Sequence, residues 1–287
     1  MTVGDLLRTA RPRQWTKNVL VLAAPVLSAQ VVHGDVLLAT VGALVAFVLA
    51  SCGVYYVNDA HDAALDAAHP TKRHRPVAAG RIPVRTAFAI GAVLLALGIL
   101  CGLLVRPALG LTMAVYVVVN LAYAFVLRDE PILDIAAIGS GFILRTISGG
   151  VAAGIWLSEW FLLAASFGSL FVAAGKRYAE RLDETIAPGS TRRSLTRYTA
   201  TYLRFVWTLS AGSLVMTYGL WAFDQQATLT SSLPVLSIAP FVLAVLRYAM
   251  HVDAGAGDEP DEIVLHDRWL QGLGLIWVAM VAWPLFS

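Results

Sequence analysis

Asn58, Asp59, Asp62 and Asp66 form the pattern N-D-x-x-D-x-x-x-D, four residues able to ligate a cation within one short stretch. At helical spacing they fall within an arc of about 100°, so three carboxylates and one amide share a face. Bare carboxylates that close raise one another's pKa, and a divalent cation removes the conflict. Mg²⁺ takes one or two protein carboxylates and completes its octahedron with waters and substrate phosphates. The pattern therefore suits a Mg²⁺–diphosphate complex, with Asn58, Asp62 and Asp66 the candidate ligands and Asp59, Asp62 and Asp66 the candidate catalytic carboxylates. Just downstream stand His69, Lys72, Arg73, His74 and Arg75, between Pro70 and Pro76. Arg binds phosphate oxygens as a fork and Lys as a point charge, so Lys72 and Arg73 are candidates for the phosphates that a metal leaves uncovered. The alternative for these basic residues is a solvated loop whose charges only set membrane topology.

A second constellation lies in GKRYAERLDE, residues 175–184. On a helix Lys176, Glu180 and Asp183 fall within about 60° of one another. Either Lys176 and Glu180 form an i,i+4 salt bridge, or Lys176 with Arg177 or Tyr178 binds phosphate while the acids support them or a second metal. Two ionisable residues, Asp134 and Arg145, sit inside an apolar run. They are almost in phase on one helix but about 16 Å apart along it, too far to pair. Ionisable groups in a span are costly and face a cavity or pair up, so Arg145 calls for a substrate phosphate or a partner on another helix. Arg11, Arg13, Lys17 and Asn18 surround Trp15, as an interfacial anchor or, for Lys17, as a contact to a lipid phosphate; Arg128 stands at similar depth. Gly150 and Gly154 read as a GxxxG packing pair. Cys52 and Cys101 read as apolar packing, with no disulfide framework.

The elements that must hold these residues are membrane helices. Only 14% of the 287 residues are charged and 58% are hydrophobic, against roughly 25% charged in a soluble domain. Apolar stretches at 36–57, 84–105, 109–127, 132–157 and 203–223 approach or exceed the ~20 residues that cross the hydrocarbon core. Shorter or mixed ones at 19–32, 160–175, 233–246 and 270–286 bring the expected count to nine, in one polytopic domain over residues 1–287. With nine alternating helices, every Lys and Arg except Arg106 and Arg145 falls on one side. This places the N-terminus and three long loops (about 58–82, 176–201 and 250–267) in the cytoplasm and the C-terminus outside. No cleavable signal peptide is expected. The net charge of +2 does not imply nucleic acid. The first two long loops carry similar equipment and suggest two helical groups facing one another, and the acidic stretch 253–262 reads as a solvated linker.

The aspartate pattern after the second span resembles the first aspartate-rich motif of the UbiA superfamily of prenyltransferases. The stretches RPRQWTKNVLVLAAP (11–25), NDAHDAALDAAHPTKRHRPVAAGRI (58–82), DIAAIGSGFILRTISGG (134–150) and FGSLFVAAGKRYAE (167–180) look like its phosphoribosyl-transferring branch. The resemblance covers the chain to about residue 201. It implies an all-α bundle around a central cavity, in the inner (plasma) membrane. The implied reaction is Mg²⁺-dependent transfer of a 5-phosphoribosyl group from phosphoribosyl pyrophosphate to a polyprenyl (decaprenyl) phosphate, releasing diphosphate for arabinose-donor synthesis in cell-wall (arabinogalactan) biogenesis. The substrate-binding set is then Lys17, Tyr55, Lys72, Arg73, Arg128, Arg145, Lys176, Arg177 and Tyr178, and a homo-oligomer is compatible with it. The chain departs from the family's usual second motif, D-x-x-x-D, in having Glu180, Asp183 and Glu184. That weakens a second carboxylate-held metal and the rival reading as an aromatic prenyltransferase. A transporter is the rival of another class, but transporters bind near the midplane, whereas most ionisable residues here cluster at one surface.

Overall fold

A computed structural model describes residues 1–186, 193–257 and 260–286; among these the chain is helical, without strands. It divides into two compact units.

Unit 1 comprises Met1–Ala23, His33–Val126 and Leu144–Ile155. Helix α1 (Val3–Ala10) opens on a capping box, in which Thr2 Oγ1 accepts from the Asp5 N–H at 3.2 Å and Asp5 Oδ2 accepts from the Thr2 N–H at 3.0 Å. Arg81 Nε adds a 2.8 Å bond to Asp5 Oδ1. The backbone, side-chain and ionic contacts together hold the Asp5 carboxyl down at about 2. The expected span at 19–32 does not form as a regular helix. Arg11 takes a left-handed φ of 51°, a 3₁₀ run follows over Pro12–Leu22, and α2 (Ala23–Leu27) ends before Ala29 at φ 57°. Pro12 sits at the start of the 3₁₀ run, and the left-handed residue at Ala29 stops the α-helix after little more than one turn.

Helices α3 (Gly34–His61), α4 (Ala63–Ala68), α5 (Val84–Val105) and α6 (Pro107–Phe125) complete most of unit 1. α3, α5 and α6 are apolar around the whole circumference, the pattern of helices solvated by lipid. Leu38 and Leu104 are 74% and 80% exposed. Helices α3 and α5 approach closely through small residues: a Cβ on Gly91 would lie 2.8 Å from Val57 Cγ2 and 3.1 Å from the Gly53 carbonyl. Without a hydrophobic drive between helices in lipid, such close backbone contact is what holds them together. Phe47, Leu109, Met113 and Tyr116 fill the core of this unit.

Unit 2 comprises Ala24–Val32, Leu127–Ile143 and Trp156–Ser287. The long helix α7 (Leu133–Ala153) gives its first part to unit 2 and its last turns to unit 1. Gly154 follows with φ +73°, so it terminates α7 and is not the packing residue of a GxxxG pair. Unit 2 continues with α8 (Glu159–Ile186), α9 (Arg193–Arg197), α10 (Ala200–Leu229), α11 (Leu233–Leu236), α12 (Ile238–Asp253), α13 (Pro260–His266) and α14 (Arg268–Phe286). Its core joins Phe171, Tyr178, Leu203, Trp207 and Tyr248. Among the described residues five helical segments are long and apolar enough to cross a membrane: Gly34–His61, Val84–Val105, Pro107–Phe125, Leu133–Ala153 and Leu233–Asp253.

Candidate active site

The aspartate-rich segment lies at the polar end of α3, in unit 1. It is not one unbroken helix. α3 ends at His61, Asp62 sits in the bridge region (φ −88°, ψ 2°), and α4 resumes at Ala63. The i→i+4 bonds nevertheless run through the junction, from Asp62 N to Asn58 O at 2.9 Å and from Asp66 N to Asp62 O at 2.8 Å. Asp59 and Asp66 are buried, and Asn58 and Asp62 half-buried.

The carboxylates are held apart by arginines. Arg11 Nη2 pairs with Asp59 Oδ1. Arg75 Nη1 bridges Asp66 Oδ2 at 2.6 Å and Asp59 Oδ1 at 3.4 Å. Arginines thus relieve part of the crowding of acids for which the sequence suggested a divalent cation. By sequence Arg11 reads as an interfacial anchor and Arg75 as one of the basic residues that hold phosphate or set topology, and no local spacing marks either as a partner of Asp59. Around the Asp59 carboxylate opens a cavity of about 220 Å³, lined by Arg8, Arg11, Asp59, Thr71, Lys72, His74, Arg75 and Pro76. Arg8, Arg11, Lys72 and Arg75 against one lining carboxylate give it a positive wall, and the volume is large enough for a phosphoryl group. Lys72 lines it. Arg73 does not; it is exposed, with Nε 3.5 Å from His74 Nε2.

Arg145 of unit 1 is 8% exposed. Its Nε donates to Asn18 Oδ1 at 2.9 Å and its Nη2 to Tyr116 OH at 2.7 Å. The guanidinium carbon lies 4.9 Å from the Tyr116 ring centre and 5.8 Å from that of Phe47, within cation–π range. Asn18, itself fully buried, bonds Ser51 Oγ through Nδ2 at 3.4 Å. Half-buried Lys17 donates to Gln14, and the Arg11 guanidinium sits 5.0 Å over the Tyr55 ring.

In unit 2 the polar helix end is organised around Asp134, which is wholly buried. Its Oδ2 pairs with Arg177 Nε at 2.8 Å and receives Ser194 Oγ at 3.3 Å, and its Oδ1 accepts from Tyr198 OH at 2.7 Å. Arg177 also pairs with Glu180. Burial first, and then the Asp134 carboxylate, push the Tyr198 hydroxyl well above its ordinary range, so it stays a donor. The expected Lys176–Glu180 bridge is replaced by Arg177–Glu180. Arg177 and Tyr178, both expected at the substrate, are each 1% exposed and turned to internal partners. Tyr178 OH accepts from Arg204 Nη2 at 2.6 Å and donates to Asp253 Oδ1 at 3.2 Å. Lys176 is half-buried, as is Arg128, whose carbonyl accepts from Ser194 Oγ at 2.7 Å. The side chains of Asp183 and Glu184 lie outside the described residues. So do residues 258–259 of the acidic stretch, whose first member, Asp253, is exposed and paired with the exposed Arg204 at 3.0 Å.

A helical membrane bundle carrying an aspartate-rich helix end beside a cationic cavity defines a class of transferase, and the comparisons agree: the chain belongs to the UbiA prenyltransferase family, whose model matches residues 19–266. It is similar to the decaprenyl-phosphate phosphoribosyltransferase of Mycolicibacterium smegmatis, at 45% identity over 97% of this chain and 92% of that one. A protein of the same description from Mycobacterium tuberculosis is 46% identical over 97% and 93% of the two chains. Among solved structures, a UbiA homolog from Archaeoglobus fulgidus bound to DMAPP and Mg²⁺ superposes with a TM-score of 0.73, covering 98% of this chain and 97% of that one at 15% identity. The same homolog bound to Cd²⁺ gives 0.71. The chain is thus an all-α, multi-pass membrane protein of the UbiA fold.

The side chains fit a divalent cation. Asn58 Oδ1 is buried without a hydrogen-bond partner, an arrangement that a cation satisfies and that is otherwise costly. Asp62 and Asp66 lie one and two turns further along the same face. Among the described residues no three His, Cys, Asp or Glu side chains converge as a metal cage. Mg²⁺ does not need one, because substrate phosphates and waters supply most of its shell.

Proposed function

We propose that the chain transfers the 5-phosphoribosyl group of phosphoribosyl pyrophosphate to a polyprenyl phosphate, with decaprenyl phosphate the first candidate, and releases diphosphate. The observation that carries this reading is the cationic cavity around Asp59, whose wall includes Arg75, the partner of Asp66; it suits a substrate bearing phosphates. The identity to decaprenyl-phosphate phosphoribosyltransferases along nearly the whole chain supports it. Residues 1–287 then act as one transferase domain with nine spans in the plasma membrane, N-terminus and polar loops cytoplasmic and C-terminus outside.

In this reading Asn58, Asp62 and Asp66 hold Mg²⁺ on the donor's diphosphate. When bound, the ion offsets the negative charge that develops on the leaving group. Lys72, in the cavity wall, contacts phosphate oxygens, and Arg73 stays outside. Asp59, gripped by Arg11 and Arg75, fixes the guanidinium groups that face the cavity. Arg145 or Lys17 receives the lipid phosphate while the chain stays in hydrocarbon. Its oxygen attacks the anomeric carbon, the bond from that carbon to the diphosphate oxygen breaks, and the electron pair leaves with diphosphate. The carbon passes through an oxocarbenium-like state and inverts on direct displacement. A phosphate nucleophile is already ionised at neutral pH, so no general base is required. The residues catalyse by positioning two polyanions and masking their charge.

Mass spectrometry of lipids after incubating the purified protein with polyprenyl phosphate, phosphoribosyl pyrophosphate and Mg²⁺ tests the reading. The expected product is polyprenylphosphoryl-5-phosphoribose, and Asp62→Ala should lower its formation at least about a hundredfold, the scale of a lost electrostatic contribution. No lipid product from this pair, with turnover of a prenyl diphosphate and an aromatic acceptor instead, would overturn it.

A further inference from the structure

A cavity of about 620 Å³ in unit 2 is not used by the function proposed above. It opens where the polar end of α12 meets α13 and the start of α14, and Arg247, His251, Glu262, His266, Arg268 and Trp269 line it. We propose that it is a binding site for the phosphate headgroup of an anionic membrane lipid.

Asp267 builds the site. It caps α14, its Oδ1 accepting from the N–H groups of Trp269 at 2.9 Å and Leu270 at 3.1 Å. Its Oδ2 takes Arg247 Nε and His251 Nε2, both at 2.6 Å. Two side chains one turn apart on α12 are thereby locked at the cavity wall. Arg247 is held through Nε alone, so its two terminal nitrogens keep their donors without a protein partner among the described residues. Arg268 has no protein partner at all among them. The two lining carboxylates are both engaged, Asp267 as above and Glu262 by His266 Nδ1 at 3.2 Å. What the cavity offers a ligand is therefore guanidinium N–H groups, the donors that match phosphate geometry. A neutral solute would leave them unsatisfied, and a cation would be repelled.

The surroundings favour a lipid over a soluble phosphate. Segment Leu233–Asp253 is of membrane-spanning length and composition, and Arg247 and His251 stand in its last turns. That is headgroup depth. Trp269 is 75% exposed and Leu265 60% exposed, beside the guanidinium groups. Trp is enriched at this interface because its ring is apolar and its N–H polar. Cations and apolar side chains thus meet at one place, as a phosphate on an acyl tail requires.

The test uses the full chain, delipidated in mild detergent, and reads retained lipid by native mass spectrometry. Phosphatidylglycerol, phosphatidylcholine and inorganic phosphate serve as probes. The wild type should hold phosphatidylglycerol about tenfold more tightly than phosphatidylcholine, and Arg268→Gln should remove most of that preference. Arg247→Lys, which keeps a charge on Asp267 but loses the planar guanidinium fork that matches a phosphate, should reduce it further. Equal affinity for the two lipids, or an Arg268→Gln variant that binds like the wild type, would overturn the proposal. Because Arg268 touches no other described side chain, that variant tests binding without testing folding. Inorganic phosphate that binds alone, with the same dependence on Arg268, and displaces the lipid would overturn the assignment to a lipid.

Discussion

The buried Asp134–Arg177 pair gives the sharpest quantitative expectation. Asp134 is 0% and Arg177 1% exposed, and the carboxylate also accepts from Tyr198 and Ser194. Asp134→Ala would leave the Arg177 guanidinium in the interior without its buried carboxylate, and its partner Glu180 is only half-buried. Removing one partner of a buried ion pair costs about 3–5 kcal/mol. At about 2–4 °C per kcal/mol for a chain of this size, the unfolding midpoint should fall by about 6–20 °C. Scanning fluorimetry in detergent at one fixed heating rate measures it. Replacing the whole network by apolar groups of similar volume, in Asp134→Leu/Arg177→Met/Tyr198→Phe, should recover most of the loss, because well-packed hydrophobic residues often match a buried ion pair. Transfer activity should return with it if Arg177 only orients the α8 helix end, and stay lost if Arg177 reaches substrate. A midpoint within about 2 °C of wild type for Asp134→Ala would refute the account, since a solvated or loosely held pair is worth only 0–1 kcal/mol. So would a triple variant no more stable than the single one.

Three further expectations follow from the geometry. Gly91→Leu should destabilise unit 1 by about 1–3 kcal/mol or more, the cost of overpacking, because its Cβ would meet Val57 Cγ2 at 2.8 Å and the Gly53 carbonyl at 3.1 Å; the thermal midpoint reads it. Lys72→Met should raise the KM for phosphoribosyl pyrophosphate about tenfold while Arg73→Met changes it by less than about threefold, since only Lys72 lines the cationic cavity. The bonds from His251 first and Arg247 second hold the Asp267 carboxyl below its ordinary value. Its contribution to stability is therefore fully present above the unfolded value of about 3.9 and is lost as pH falls through the folded one. In chemical denaturation, wild type minus Asp267→Asn should narrow as pH falls from about 5 to 3; a gap that stays constant across that range would contradict the network.

Hydropathy located the helices that lipid solvates, because an apolar run of sufficient length has few other places to be. The run at 84–105 coincides with α5 and the run at 36–57 lies inside α3, whose extra turn carries Asn58 and Asp59 past the apolar stretch. The run at 160–175 is the front of α8, which continues to Ile186 because helix outlasts hydrophobicity where the chain leaves the bilayer. The stretch at 19–32 is not one regular α-helix for a local reason: a 3₁₀ run covers its start, and left-handed Ala29 follows the short α2. At the site the charges were legible and their pairings were not. Asn58, Asp62 and Asp66 could be grouped because helical spacing is a local rule. Arg11 and Asp59 are 48 residues apart, and Tyr198 and Asp134 are 64 apart, so only the tertiary fold joins them. The positive-inside pattern concealed this further, because it explains every loop arginine equally well. Arg11, Arg75 and Arg177 each count toward topology by sequence, yet each holds a buried carboxylate in place. The consequence bears on function. An arginine already paired with a carboxylate changes the electrostatics of the site through that carboxylate, so its removal should alter where Asp59, Asp66 or Asp134 points before it alters any contact to a phosphate.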